Sequence, residues 1–307
     1  MSVLDRLPAW TTTGIGSLPC DATAAAAAHA TTAYGLPFCP QLPALDGDMV
    51  AEWLGADPAR CGWSRDRDRR RPRAWDDVLA HLARRPPAHG LVKLQVTGPL
   101  TLARALEARQ TVALAREIAA WLAANVAEQV AVLAGRGLDA VLVIDEPALA
   151  AVARDDADRA WDPLRAVAPA WGLHVCCAVP WDLVARAAPD LLSFDLTLGF
   201  DRTAARAARR LAAAGTHLAW GVFAPHEPAS DGDAAALLDA ALALTGAAGE
   251  RSLLTPTCGS GLVSPAREAA LAAALDALAT RLAAGQGVTG LVPPPGSTTT
   301  SLPSESR

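Results

Sequence analysis

The chain has 307 residues, 51% hydrophobic and 19% charged, which is ample for a packed core and too apolar for a chain disordered throughout. A formal net charge of −5 excludes binding of nucleic acid by overall surface charge, and no run of about 18 uncharged apolar residues marks a membrane span. The first ten residues carry Asp5, Arg6 and Pro8 where a signal peptide needs an apolar core, so a cytoplasmic enzyme is the default expectation.

Hydrophobic runs alternate with helical stretches along the chain. A strand predicted at 12–17 leads to a helix at 21–30, and a second strand at 36–42 leads to a helix at 75–84. Strands at 91–97 and 139–145 precede helices at 112–136 and 156–170. Strands at 173–177 and 190–195 precede helices at 181–187 and 203–214, and strands at 217–223 and 253–257 precede helices at 233–244 and 264–284. Eight strand-then-helix units in this length predict an α/β fold, a single (β/α)8 TIM barrel over residues 1–284. A doubly wound sheet is the alternative, and Gly14-Ile15-Gly16 does not favour it, because Pro19 stands where a dinucleotide fingerprint needs its last glycine.

Two segments fall outside the alternation. Residues 55–74 read as an insertion, with six arginines and two aspartates between Arg65 and Arg73 forming a solvated stretch or an anion site. Residues 285–307 turn to Pro, Ser and Thr and read as a disordered tail. The chain has one lysine, Lys93, against 26 arginines.

Six cysteines in a chain this long do not make a disulfide scaffold; in a reducing compartment they are core thiols, metal ligands or nucleophiles. His174 and Cys176 stand two apart in a predicted strand and share a face, whereas Cys177 points the other way. Cys258 follows the eighth predicted strand and Asp195 ends the sixth. In a barrel all four side chains gather at the C-terminal mouth, and one nitrogen, two sulfurs and a carboxylate oxygen suit Zn2+ better than magnesium or calcium. Buried thiols beside a core histidine are the plainer alternative. Cys20, Cys39, Cys61 and Cys177 read as structural. Ser17, Asp48 and the acidic pair Asp145-Glu146 fall at the same mouth, as does His226 beyond the seventh strand. An acidic pair closing an apolar strand needs donors from protein or ligand, although Asp145 also suits a helix N-cap.

These residues lie in Ile15-Gly16-Ser17-Leu18-Pro19, Asp48-Met49-Val50, Val96-Thr97-Gly98-Pro99, Ile144-Asp145-Glu146-Pro147-Ala148-Leu149, His174-Val175-Cys176, Gly221-Val222-Phe223 with His226, and Cys258-Gly259. In that order, from residue 13 to about 283, the set resembles the catalytic barrel of cobalamin-independent methionine synthase, a zinc-dependent methyltransferase. The resemblance implies methyl transfer to homocysteine, with zinc on His174, Cys176 and Cys258 and Asp195 where the family has a glutamate. It implies that Ile15, Gly16, Ser17, Asp48 and Asp145 bind substrate, Ser17 and Asp145 holding the amino-acid end of the acceptor. His226 matches the family's proton donor, and Asp145, Glu146 and His226 form the expected catalytic set.

Three departures concern the methyl donor. The chain has no room for the family's second barrel, Ala105 stands at the aromatic platform of folate users, and Ala150 and Ala151 replace an arginine and an acid. The donor is therefore expected to be methyl-folate or a methylated corrinoid or corrinoid protein, with no nucleic acid or membrane as partner. Another small thiol such as coenzyme M is the alternative acceptor, and a catalytically silent zinc- or thiol-binding barrel the alternative class.

Overall fold

The computed structural model describes residues 2–55, 62–64, 68, 70–106, 111–152, 155–227, 231–246 and 249–285. Cys61, much of the arginine-rich stretch and nearly all of the expected tail lie outside them.

Seven strands form one parallel sheet: β1 (Thr11–Thr12), β2 (Leu91–Thr97), β3 (Asp139–Asp145), β4 (Ala170–Val175), β5 (Leu191–Asp195), β6 (His217–Phe223) and β7 (Ser252–Pro256). Their order is β1-β7-β6-β5-β4-β3-β2. A doubly wound sheet reverses its order at a switch point; here each strand from β2 to β7 lies beside its successor, and the sheet curls into a half-barrel consistent with a TIM-like fold.

Among the described residues the regular sheet is one strand short of the expected eight. Along 36–42 Pro37 and Pro40 remove two N–H donors, so no continuous ladder forms. The segment touches both sheet edges through single parallel bridges, Phe38 to Lys93 and Ser17 to Gln41. Leu36 N–H donates to Thr12 O at 2.9 Å on one side, and Cys39 N–H to Lys93 O at 3.1 Å on the other. The first strand, expected over 12–17, ends at Thr12, because the carbonyls of Gly14 and Ile15 turn to the Lys93 ammonium instead of a neighbouring strand.

β4 begins earlier than expected, at Ala170, and ends at Val175, leaving Cys176 and Cys177 beyond it. The helix expected over 156–170 shrinks to a 3-10 turn, Ala157–Trp161, and a short helix, Asp162–Arg165. Pro163 suits a first turn, but Pro169 cannot sit in a helix interior, so the chain has already turned extended. The longest helix, Thr111–Ala134, contains a stretch, Val112–Ala134, long and apolar enough by composition to cross a membrane. It lies against β3 and the helix Pro99–Ala105, with Ile118, Leu122 and Val126 buried and Arg116 and Glu128 outward.

Alternation along the strands sorts two apolar layers. Val92, Leu94, Val96, Leu142 and Ile144 pack outward among the helices. Leu91, Val141, Val143, Ala170, Leu191, Ala219 and Leu253 form a separate inner cluster with Leu4 and Leu7. The 3-10 turn Val3–Arg6 plugs that end, held by Arg6–Asp139 at 2.6 Å and Arg251–Asp5 at 3.3 Å. Towards the C-terminal ends of the strands the inner face turns polar, through Lys93, Gln95, Asp145, His174 and Ser193, all buried.

Candidate functional site

His174, Cys176 and Cys258 offer one ring nitrogen and two sulfurs, all within 4.8 Å of one another. β4 supplies His174, the residue just past its end is Cys176, and the connection after β7 supplies Cys258. His174 Nδ1 lies 3.0 Å from Ser193 Oγ, and Nε2, though buried, has no protein partner. In the tautomer that donates from Nδ1, Nε2 presents a lone pair to the sulfurs, the arrangement expected of a metal-binding imidazole. An orphaned nitrogen and two close, unbridged thiols fit a thiophilic divalent ion such as zinc.

The two thiols divide one proton unequally. The hydrogen bond from Cys176 draws Cys258 down to about 4, while the same sulfur contact, with burial, pushes Cys176 up. At neutral pH the pair therefore holds one thiolate and one thiol, so loading a divalent ion onto both sulfurs expels one proton. Between pH 7 and 8 zinc affinity is expected to rise about tenfold per unit, measured by chelator competition; a flat profile overturns the shared-proton reading.

Above the cluster opens a cleft of about 890 Å³, counted out to open solvent. Its wall includes Ile15, Ser17, Asp48, Asp145, His226 and the three cluster residues, so most of the residues singled out in the sequence meet there. Ser17 is locked to the Cys258 connection: its carbonyl accepts from Ser260 N–H at 3.1 Å and its Oγ from Gly261 N–H at 3.1 Å. A Cβ on Gly259 would overlap Ser17 Oγ, so that residue must be glycine for the two loops to close. Asp145 is 3% exposed with Oδ1 unpartnered, and burial lifts it to about 6 against the pull of His174 and Lys93. Lys93, also buried, donates to the Gly14 carbonyl and, at 2.6 Å, to that of Ile15. Burial lowers its ammonium to about 8, with Asp145 pulling the other way. Gly16 packs against the Gln95 amide and carries no side chain toward the cleft.

Two of the expected residues, Glu146 and Asp195, are absent from the cleft lining, and a third, Asp48, spends a carboxylate oxygen elsewhere. Glu146 is fully buried and does not line the cleft: Leu100 N–H (3.1 Å), Thr101 N–H (2.9 Å), Thr101 Oγ1 (2.7 Å) and Trp161 Nε1 (2.9 Å) all donate to it. It caps the helix Pro99–Ala105. Asp195 lies outside the 4.8 Å cluster because its Oδ1 accepts from Thr197 N–H (2.8 Å) and Oγ1 (2.6 Å), capping the turn after β5. Asp195→Asn is accordingly expected to retain stoichiometric metal by elemental analysis; loss of the ion makes Asp195 a ligand. Asp48 reaches the cleft but spends Oδ1 on the N-cap of Met49–Leu54, accepting from Val50 (3.0 Å) and Ala51 (2.8 Å) N–H.

Glu52 went unmarked in the sequence. It lines the cleft, accepts from Gln41 Nε2 at 2.6 Å, and is pushed up to about 8 by burial and by Asp46. Its one signal is an acid amid the apolar run Met49-Val50-Ala51-Glu52-Trp53-Leu54.

No family model and no curated protein matches the sequence. Among solved structures, a methyltransferase from Methanosarcina mazei is similar over 90% of this chain and 96% of its own, at 17% identity and TM-score 0.60. A protein from Listeria monocytogenes described as a vitamin-B12-independent methionine synthase matches over 70% of this chain and 71% of its own, at 12% identity and TM-score 0.50. A B12-independent methionine synthase from Shewanella sp. W3-18-1, in complex with selenomethionine, matches over 63% of this chain at 16% identity and TM-score 0.48; the match spans 62% of that protein. At these identities the likeness is one of fold.

Proposed function

We propose that the chain is a zinc-dependent methyltransferase that forms methionine by methylating homocysteine, drawing on methyl-folate or a methylated corrinoid in the cytoplasm. One observation carries the reading: an imidazole nitrogen with no protein partner and two thiols lie within 4.8 Å of one another in a cleft walled by carboxylates.

His174, Cys176 and Cys258 hold the ion. When bound, zinc lowers the pKa of an incoming thiol, which otherwise sits near 8.5 and is largely protonated at pH 7. The chain does the rest by placement. Asp145, buried, and Glu52, half-buried, have no cationic side chain hydrogen-bonded to their carboxyls and give an ammonium its partners, and the Ile15–Ser17 turn borders the same wall. The acceptor sulfur takes the methyl group while the bond to the donor breaks. A folate nitrogen leaves as a base and needs a proton, which His226 at the cleft wall is placed to give; a corrinoid cobalt keeps the electron pair and needs none. Ala105, Ala150 and Ala151 favour the corrinoid.

The acceptor wall favours homocysteine over coenzyme M. Among the described residues lining the cleft there are Asp46, Asp48, Glu52 and Asp145 and no arginine or lysine, so a sulfonate finds no guanidinium or ammonium to pair with. Purified protein assayed for zinc, then for methyl transfer from methyl-folate and methylcobalamin to homocysteine and to coenzyme M, tests the whole. Methionine from either donor supports the reading, and turnover on coenzyme M alone reverses the acceptor. Zinc and homocysteine binding without transfer from any donor makes this a silent thiol-binding barrel.

A further inference from the structure

His226 sits on a turn that has little to hold it. It is exposed, it follows β6 by three residues, and among the described residues the turn's own backbone supplies one hydrogen bond, Glu227 N–H to Ala224 O at 3.2 Å. A side chain on such a turn has no reason of its own to stay in the cleft. The missing restraint comes from another element. Arg267 Nε donates to Pro225 O at 3.0 Å, and its Nη2 donates to Ala224 O at 3.2 Å and to Glu227 O. Three carbonyls within four residues thus converge on one planar guanidinium, whose donors are fixed relative to one another.

Arg267 is itself anchored. It lies in the first turn of the helix Pro265–Ala283, and its backbone N–H donates to the Ser264 cap at 3.2 Å. The next residue, Glu268, is buried and accepts from Tyr34 Oη at 2.5 Å, with His29 Nε2 at 3.0 Å. Cys258 lies in the connection that runs from β7 into this helix. One side chain therefore ties the turn carrying His226 to the element that follows the Cys258 loop.

From this geometry we propose that Arg267 is a positioning residue for His226, holding the 224–227 turn so that the imidazole faces the metal cluster's cleft. The inference rests on the reading of His226 as a cleft group, and the test separates the two. Zinc-loaded protein carrying 13C-labelled histidine is titrated with homocysteine, and the His226 Cε1 resonance is assigned by its loss in His226→Gln. In the unaltered protein that resonance shifts as the cleft fills. In Arg267→Ala the shift disappears, while zinc stoichiometry and homocysteine affinity by calorimetry stay as they were. Arg267→Lys keeps part of it, because an ammonium reaches fewer of the three carbonyls. An undiminished shift in Arg267→Ala, or in Arg267→Lys should the alanine variant not fold, overturns the inference. No shift in the unaltered protein removes His226 from the cleft and the inference with it.

Discussion

Cys258→Ser is expected to lose stoichiometric zinc and all methyl transfer while the fold survives. Serine offers an oxygen that stays protonated at neutral pH, so three protein ligands become two and zinc affinity falls by on the order of 100-fold or more. The fold survives because Cys258 is exposed, in a connection that follows β7, and packs against nothing that serine would not also tolerate. The metal-free variant should keep its denaturation midpoint, within about 0.5 kcal/mol of the parent. Cys177→Ala is the control. That thiol lies outside the cluster, accepts from Ala150 N–H at 3.4 Å and packs partly buried against the core, so the variant keeps its zinc and loses about 1 kcal/mol of packing. Elemental analysis of both variants decides. Full zinc and turnover in Cys258→Ser would end the metal assignment, and zinc loss in Cys177→Ala would mean that the chain after β4 faces the other way.

Glu146→Ala is expected to act on stability, by about 3–5 kcal/mol, because two backbone N–H groups, a hydroxyl and an indole N–H are left buried without their acceptor. The cavity cannot collapse easily: Gly98 already lacks a Cβ because the Glu146 carboxyl fills that space. Urea denaturation measures the loss. Glu146→Gln retains an acceptor oxygen but turns an amide toward groups that donate, so it falls between the parent and the alanine variant. Activity in both should follow the folded fraction. A Glu146→Gln protein of parental stability, zinc-loaded yet inactive, would return Glu146 to the chemistry.

Much of the candidate site was legible because its residues follow strands. Parallel strands in sequential order send every strand end to the same rim, so Ser17, Asp145, His174 and Cys258 could be brought together from spacing alone. Asp195 and Glu146 satisfied the same rule and still missed the site, since a strand-end carboxylate serves as readily to cap the next turn. Spacing does not distinguish these uses; the positions of Thr197, Thr101 and Trp161 do.

The sequence alone determined the α/β class, the parallel order and the set of thiols and imidazole that could meet, because period and chain order follow from local chemistry. Tertiary structure decided what local chemistry cannot encode. Pro37 and Pro40 broke the second strand into single bridges, and Lys93, the chain's one lysine, took two carbonyls that would otherwise have extended the first. Glu52 entered the cleft from a short helix, and a guanidinium forty-one positions beyond His226 came to hold its turn. In each case the outcome rests on a partner distant in sequence, and a buried donor or acceptor is settled by whichever such partner the folded chain brings within reach.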